Sequence, residues 1–165
     1  MALVLKNKSL IRSQIYSAGR WLDSDSLETL DVVNPATNDV ITTVPYCGAI
    51  ETRRMIEAAA QAQRSWALAT AKHRSVVLRD WFNLIVQNKD DLALLLTLEQ
   101  GKPLTEASAE LTYGANYIEW FSEEAKRVYG DIIPPPSEDK RLVVIKQPFG
   151  VVACITPWNF PNAML

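Results

Sequence analysis

The sequence predicts an α/β or α+β fold rather than a helical bundle, because strand-like segments come first, helical segments follow and strand-like segments return. Short apolar runs broken by turn residues occupy residues 14–44, and helical periodicity fills residues 49–130. Near the end, residues 151–155 are all apolar or small and lie between two Pro-containing turns. That pattern is typical of a strand buried on both faces of a parallel sheet.

Composition and charge narrow the class of protein. The chain has 165 residues, 48% of them hydrophobic and 22% charged, which are ordinary values for a globular domain. No apolar run has the length of a membrane-spanning helix, and residues 1–17 lack the order of a signal peptide, so we expect a cytoplasmic protein with no membrane partner. The net charge of −2, with scattered basic residues, argues against a nucleic-acid partner.

The first segments predict two hairpins on the surface. Ala18-Gly19 is a turn signal between two short strand-like runs. The cluster Asn-Pro-Ala-Thr-Asn-Asp at residues 34–39 separates a strand at 30–33 from one at 40–44.

Four helices are predicted next, at residues 51–68, 72–88, 92–99 and 104–129. Asp90 or Asp91 is expected to cap the third helix, while Gly101 and Pro103 end it and Gly130 ends the fourth. The predicted inward faces comprise Met55, Ile56, Ala59, Ala62, Trp66, Leu78, Trp81, Phe82, Ile85, Leu111, Ile118, Phe121, Ala125 and Val128. These aromatic residues stand at helical spacing, which indicates a core rather than a cofactor site.

The remaining residues return to extended structure. Residues 132–136, Ile-Ile-Pro-Pro-Pro, can be neither helix nor central strand, so we expect an extended connector. Residues 142–147 read as a β-run, and Pro148-Phe149-Gly150 turns the chain into the strand at 151–155.

A short stiff loop follows that strand. Pro157 and Pro161 bracket Trp158, Asn159 and Phe160, so neither a regular helix nor a strand can run through them. Two interpretations are open. In the first, the loop is a Pro-rich segment at the end of a strand, and its aromatic rings cover a core. In the second, the loop holds the Asn159 side-chain amide in place to donate a hydrogen bond to an oxygen that becomes negative during a reaction.

The residues of this loop carry a resemblance. The run Ile-Thr-Pro-Trp-Asn-Phe-Pro at 155–161 resembles the Pro-Trp-Asn-Phe-Pro signature of the aldehyde dehydrogenase superfamily. Further landmarks at residues 34–37, 99–103 and 147–151 occur in the family's order, so the resemblance covers about 14–165. Residues 98–104 and 117–125 are most similar to succinate-semialdehyde dehydrogenases.

The resemblance implies the N-terminal part of an aldehyde dehydrogenase fold: β-hairpins, helices and the first strand of a Rossmann-like parallel sheet. Residues 1–136 would belong to the cofactor-binding domain and residues 137–150 to the β-extension of the oligomerisation domain. Residues 151–165 would form the first strand and the catalytic Asn loop. The implied oligomer is a homodimer or homotetramer.

The implied reaction is NAD(P)-dependent oxidation of an aldehyde, such as succinic semialdehyde, through a thiohemiacetal whose oxyanion is held by Asn159. The residues implied to contact NAD or NADP are Ile155, Thr156, Pro157, Trp158 and Asn159, and Phe160 is implied to line the aldehyde tunnel. Glutarate semialdehyde or another aldehyde is an alternative substrate. Nothing in these residues separates NAD from NADP.

Much of the family's machinery is missing from these residues. Complete members continue into a Gly-containing cofactor turn, a Glu base and a Cys nucleophile, so we expect a piece of a longer enzyme that is inactive by itself. Cys154 lies in an apolar run without a basic neighbour, so we expect a buried inert thiol, and Cys47 also lacks an activating neighbour. We expect His73 to be a solvated surface residue and Glu99 to be a plain helix end rather than a metal ligand.

A hypothesis of another class is also open. The chain could serve only as a structural and oligomerisation piece, because residues 142–147 resemble the β-extension that packs against a neighbouring subunit.

Overall fold

A computed structural model describes residues 4–164. Over this stretch the chain forms a short 3₁₀ turn, Lys8–Leu10, then two β-hairpins, four α-helices and a final two-stranded ribbon. Each of its three sheets has two antiparallel strands.

The two hairpins form where the turn signals predicted them. Strands β1 (Ile15–Ser17) and β2 (Arg20–Leu22) are joined by Ala18 and Gly19, both with positive φ, at 49° and 79°. Positive φ at both central residues is the geometry of a tight hairpin turn, and Gly adopts it without steric cost. Strands β3 (Thr29–Val33) and β4 (Val40–Pro45) pair across the second turn.

All four predicted helices are present, with different ends. They are α1 (Ala49–Trp66), α2 (Ala71–Gln87), α3 (Lys89–Gln100) and α4 (Leu104–Glu124). Gly101 ends α3 in the left-handed conformation with φ of 81°, as expected. Helix α4 ends at Glu124, so the prediction that it runs to Tyr129 and is ended by Gly130 is wrong. The amides of Lys126 and Arg127 bond to carbonyls three residues back, which tightens the turn and stops the helix.

The expected cap of α3 is also wrong, for a tertiary reason. Asn88 occupies the cap position, but its side chain makes no capping hydrogen bond to the first turn of α3. The Asp91 carboxylate instead accepts hydrogen bonds from the backbone amides of Lys6, at 3.0 Å, and Asn7, at 2.7 Å. These hydrogen bonds hold residues 5–7, the N-terminal arm, on α3. Leu5 of the arm is buried beside leucines of that helix.

The core lies among α2, α3 and α4, where Ile85, Leu111 and Ala115 form one buried cluster with Phe82 and Ile118 against it. The predicted inward face is only partly correct. The members of that face that are exposed are Ile56, Ala59, Ala62, Trp66, Trp81, Phe121 and Val128. Amphipathic spacing identifies the apolar side of a helix, but burial also needs a covering element, and residues 4–164 provide none there.

The last part of the chain departs most from expectation. The predicted connector contributes a strand, because β5 (Asp131–Ile133) pairs with β6 (Leu142–Val144). Residues 151–155 form no strand and are exposed, so the prediction of a buried strand is wrong within this structure. A strand needs a neighbour to pair with, and none of the described residues takes that place.

The remaining expectations for single residues can be compared directly. Cys154 is exposed rather than buried, whereas His73 lies on the surface as expected. Across residues 4–164 there is no helix both long and apolar enough to cross a bilayer.

Candidate functional site

The candidate site is the loop of residues 157–163, which lies against the connection between α3 and α4. Trp158 and Asn159 form a turn, and Pro161 begins another. Trp158, Asn159 and Phe160 line a cavity of about 360 Å³ together with residues 100–103 and Glu106.

Three contacts fix the backbone and one ring of the loop. The Gln100 side chain donates to the carbonyl of Trp158 at 3.3 Å. The Lys102 ammonium donates to the carbonyl of Asn159 at 2.5 Å and lies 4.1 Å from the centroid of the Phe160 ring. The contact between Lys102 and the Phe160 ring is a cation–π interaction, which strengthens when water is excluded.

Glu110 of α4 holds the other end of the loop. Its Oε1 accepts hydrogen bonds from the amides of Asn162, at 2.9 Å, and Ala163, at 3.3 Å. Its Oε2 accepts one from Lys102. The exposed fraction of the side chain is 1% for Glu110 and 9% for Lys102, so this ion pair is nearly dry. A dry ion pair is tolerable only when further hydrogen bonds satisfy both charges, and here they do.

Close packing completes the seat of the loop. A Cβ at Gly114, on the next turn of α4, would stand 2.4 Å from the Asn162 side-chain nitrogen and 3.1 Å from its carbonyl oxygen. An alanine at this position would force the Asn162 side chain to swing away and the loop backbone to shift, so glycine favours the close approach of the loop to the helix.

The predicted site residues occupy one continuous stretch. The Asn159 side chain is exposed, and Lys102 binds its backbone carbonyl rather than its amide. Ile155, at 95% exposure, and Trp158, at 81%, stand open, as does Pro157, while Thr156 is half-buried. Their assignment to a cofactor stays a prediction, as does that of Phe160 to a substrate tunnel.

The charged groups near the site include no metal cluster. Residues 4–164 contain no group of three His, Cys, Asp or Glu side chains placed to hold an ion. Glu99 lies on the last turn of α3, where desolvation raises the pKa of its carboxyl.

Sequence reasoning missed the residues that hold the loop: Gln100, Lys102, Glu110 and Gly114. One signal was present. Glu110 stands beside Leu111 and between Ala107 and Gly114 on the buried side of α4, where an acidic residue needs a partner. The identity of that partner depends on the fold.

Comparisons with known proteins agree with this geometry. The sequence profile described as "Aldehyde dehydrogenase family" matches residues 21–165. Glutarate-semialdehyde dehydrogenase of Pseudomonas putida is 60% identical over 161 residues, which are 98% of this chain and 34% of that protein. The NADP(+)-dependent succinate-semialdehyde dehydrogenase of Escherichia coli K12 is 55% identical, over 98% of this chain and 33% of that protein.

Solved structures give the same result. An E. coli NADP-dependent enzyme superposes with a TM-score of 0.95 at 55% identity, over 98% of this chain and 34% of the other. A betaine aldehyde dehydrogenase from Staphylococcus aureus, solved with NAD+, has a TM-score of 0.90 at 33% identity, over 94% of this chain and 32% of the other.

The predicted fold class is confirmed by these superpositions, which place the hairpins, helices and loop in an aldehyde dehydrogenase fold. The chain spans about a third of the length of the relatives it matches. It belongs to the aldehyde dehydrogenase family.

Proposed function

We propose that this chain is the N-terminal part of an NAD(P)-dependent semialdehyde dehydrogenase and supplies its oxyanion-binding loop. The observation that carries the proposal is the seating of the Asn159 loop on a dry Lys102–Glu110 pair. A loop held at both ends is preorganised, and a preorganised amide can stabilise developing charge without reorganising during the reaction.

Exposed apolar surface supports the view that further chain covers these residues. An open groove of about 740 Å³ runs between α2 and α4, and Trp81, Ile118 and Phe121 are among the side chains that line it. Large open apolar surfaces on soluble proteins usually mark an interface. In this proposal the rest of the enzyme covers the groove and pairs with residues 151–155.

The proposed domain assignment is the one that the resemblance to aldehyde dehydrogenases implies. Residues 1–136 belong to the cofactor-binding domain, residues 137–150 to the β-extension and residues 151–165 to the start of the Rossmann-like core.

The mechanism assigns one task to Asn159. A thiolate outside these residues attacks the aldehyde carbon, and the carbonyl electron pair moves onto the oxygen. The Asn159 amide donates to that oxygen, and as a neutral amide it remains a donor at every working pH. The oxygen electron pair then re-forms the carbonyl as the carbon gives up hydride, which a bound nicotinamide would accept, and a thioester remains. Water activated by a Glu outside these residues attacks the thioester, which releases the acid and frees the thiolate.

The segment before the loop fits a dinucleotide at its nicotinamide end. Residues 151–155 are exposed and pair with no described strand, so their backbone groups are open to a ligand, and the Trp158 ring is exposed as well. When bound, the nicotinamide would accept the hydride. Residues 155–158 would position it through backbone groups and the indole ring.

The proposed substrate is a short aldehyde that carries a second acidic group, with succinic semialdehyde first and glutarate semialdehyde second. Residues 98–104 and 117–125 favour the former, and the 60% identity to the Pseudomonas putida enzyme favours the latter. The two substrates differ by one methylene, which changes kcat/KM by about 10–200-fold in a fitted pocket. The kcat/KM ratio across chain lengths of three to six carbons therefore identifies the substrate.

The test of function uses the full reading frame that contains this chain. With a semialdehyde and NAD or NADP, the protein should form NADH or NADPH. Asn159→Ala should lower kcat by about two to three orders of magnitude, the usual loss for one oxyanion donor. Asn116→Ala is the matched control, because Asn116 is exposed on α4 and away from the loop. If Asn159→Ala keeps its kcat, Asn159 is not an oxyanion donor.

A structural role is the second candidate, favoured by the β5–β6 ribbon. Its apolar residues Ile132 and Val143 are exposed, and a ribbon of two strands offers free edges for pairing. We propose that this ribbon pairs with a second copy in a homodimer or homotetramer. Sedimentation of the full protein should show an oligomer, and a charged substitution such as Val143→Lys should shift it toward the monomer. The cytoplasmic location stays a prediction.

A further inference from the structure

We infer that Lys102 and Glu110 are positioning residues that fix the Asn159 loop in its productive geometry. The inference rests on the proposed function. Neither residue needs to touch the substrate, because both act through the backbone of the loop. Lys102 binds the backbone at Asn159, and Glu110 binds it three and four residues later.

The Lys102 ammonium contacts three groups at once. Lys102 donates to the Asn159 carbonyl and to Glu110, and it lies over the Phe160 ring. The carbonyl belongs to the same residue as the proposed donor amide. Holding it restricts the backbone dihedrals of Asn159 and therefore the direction in which its side chain leaves the loop.

The Glu110 carboxylate connects Lys102 to the last part of the loop. Glu110 binds Lys102 with one oxygen and the amides of Asn162 and Ala163 with the other. One side chain on a rigid helix therefore fixes the loop three and four residues after Asn159, while Lys102 fixes it at Asn159. Loop positions tied at both ends keep little freedom to rotate.

The Lys102–Glu110 ion pair is almost completely shielded from water. Water can replace a lost hydrogen bond on an exposed loop, but the Lys102 and Glu110 side chains are only 9% and 1% exposed. Charge-assisted bonds in such a place are strong, and removing one partner leaves the other unsatisfied. The position of the loop should therefore respond sharply to a change in either residue.

The test is a double-mutant cycle in the full enzyme. Lys102→Met should lower kcat by about 10–100-fold, the effect expected of a 1 Å misplacement, with a change of less than about 3-fold in cofactor KM. In an Asn159→Ala background, the same Lys102→Met change should lower kcat by less than about 3-fold, because the group that it positions is gone. Equal losses in both backgrounds would overturn the inference.

A conservative variant and two controls accompany the cycle. Lys102→Arg keeps the charge and should retain more kcat than Lys102→Met, so the series remains informative if the Met variant does not fold. Lys72→Met and Glu57→Gln change exposed residues of the same types and should leave kcat within about 2-fold. A kcat of Lys102→Arg no better than that of a folded Lys102→Met variant would contradict a role for the charge.

Amide hydrogen exchange separates the two proposals. Glu110→Gln should speed exchange at the amides of Asn162 and Ala163 by at least about 10-fold, whereas Glu57→Gln should not. Unchanged exchange would refute the anchoring even in an active enzyme. A wild-type protein that oxidises no semialdehyde would refute the proposed function, while exchange would still decide whether Glu110 holds the loop.

Discussion

Gly114 tests whether the loop is truly seated on α4, because two opposite effects compete at that position. Alanine is favoured over glycine inside a helix by about 1 kcal/mol. The new Cβ would stand 2.4 Å from the Asn162 side-chain nitrogen, 3.1 Å from the Asn162 carbonyl oxygen and 3.3 Å from the Ala163 Cα. The side chain of Asn162 can swing away, but the two backbone atoms cannot move without shifting the loop.

We expect the cost of the steric clash to exceed the gain in helix propensity. Overpacking typically costs about 1–3 kcal/mol, and a shifted loop also weakens the amide bonds to Glu110, each worth about 1.5–3 kcal/mol as bonds to a charged group. After the helix-propensity gain is subtracted, Gly114→Ala should lower the free energy of unfolding by about 1–3 kcal/mol. Urea denaturation of wild type and variant measures this difference directly.

Asn116→Ala is the control for helix propensity, because Asn116 lies on the same helix with its side chain exposed. It should leave stability unchanged or raise it by a few tenths of a kcal/mol. A Gly114→Ala variant as stable as the Asn116→Ala variant would mean that the loop does not rest on α4.

Three further predictions concern contacts away from the loop. Asp91→Ala should release the N-terminal arm and lower the free energy of unfolding by about 2–4 kcal/mol, because two backbone amides lose a charged acceptor; limited proteolysis at the arm checks this. Hydrogen bonds from backbone amides, first that of Glu51 itself and then those of Asp25 and Gly48, lower the pKa of the Glu51 carboxyl. The contribution of Glu51 to stability is therefore present above the unfolded pKa of about 4.3 and is lost as the pH falls further. The stability difference between wild type and Glu51→Gln should therefore shrink below about pH 4, and a difference that grows there would contradict this assignment. Arg79→Met should remove the link from α2 to two glutamates of α4 and make stability less sensitive to salt, as salt titration of the melting temperature would show.

The parts of the fold that sequence predicted were those with local causes. The Ala18-Gly19 turn and the four helices follow from residues that are neighbours in the chain, and Pro157 and Pro161 located the candidate loop. Burial was predicted poorly. The apolar side of α1 and residues 151–155 needed partners that apolar spacing cannot supply.

The candidate site shows the same division. The proposed donor, the side-chain amide of Asn159, was predicted from the loop motif, but the residues that hold the loop were not. Lys102 and Glu110 meet residues more than fifty positions later, a contact that exists only after the helices have packed. Hydrogen bonds between residues so far apart in the chain leave no periodic trace in a sequence, so the only hint was an acidic residue on the buried side of α4.

The separation between the loop and its supports has a consequence for the order of folding. Glu110 and the Asn162 amide are 52 positions apart, and closing a loop of that length costs about 3–4 kcal/mol of chain entropy. The helices form from near neighbours and complete the buried pocket for the loop before any loop contact can offset that cost. Residues 157–163 should therefore dock late, onto a surface already made. Their amides would gain protection after those of α3 and α4 in a refolding experiment.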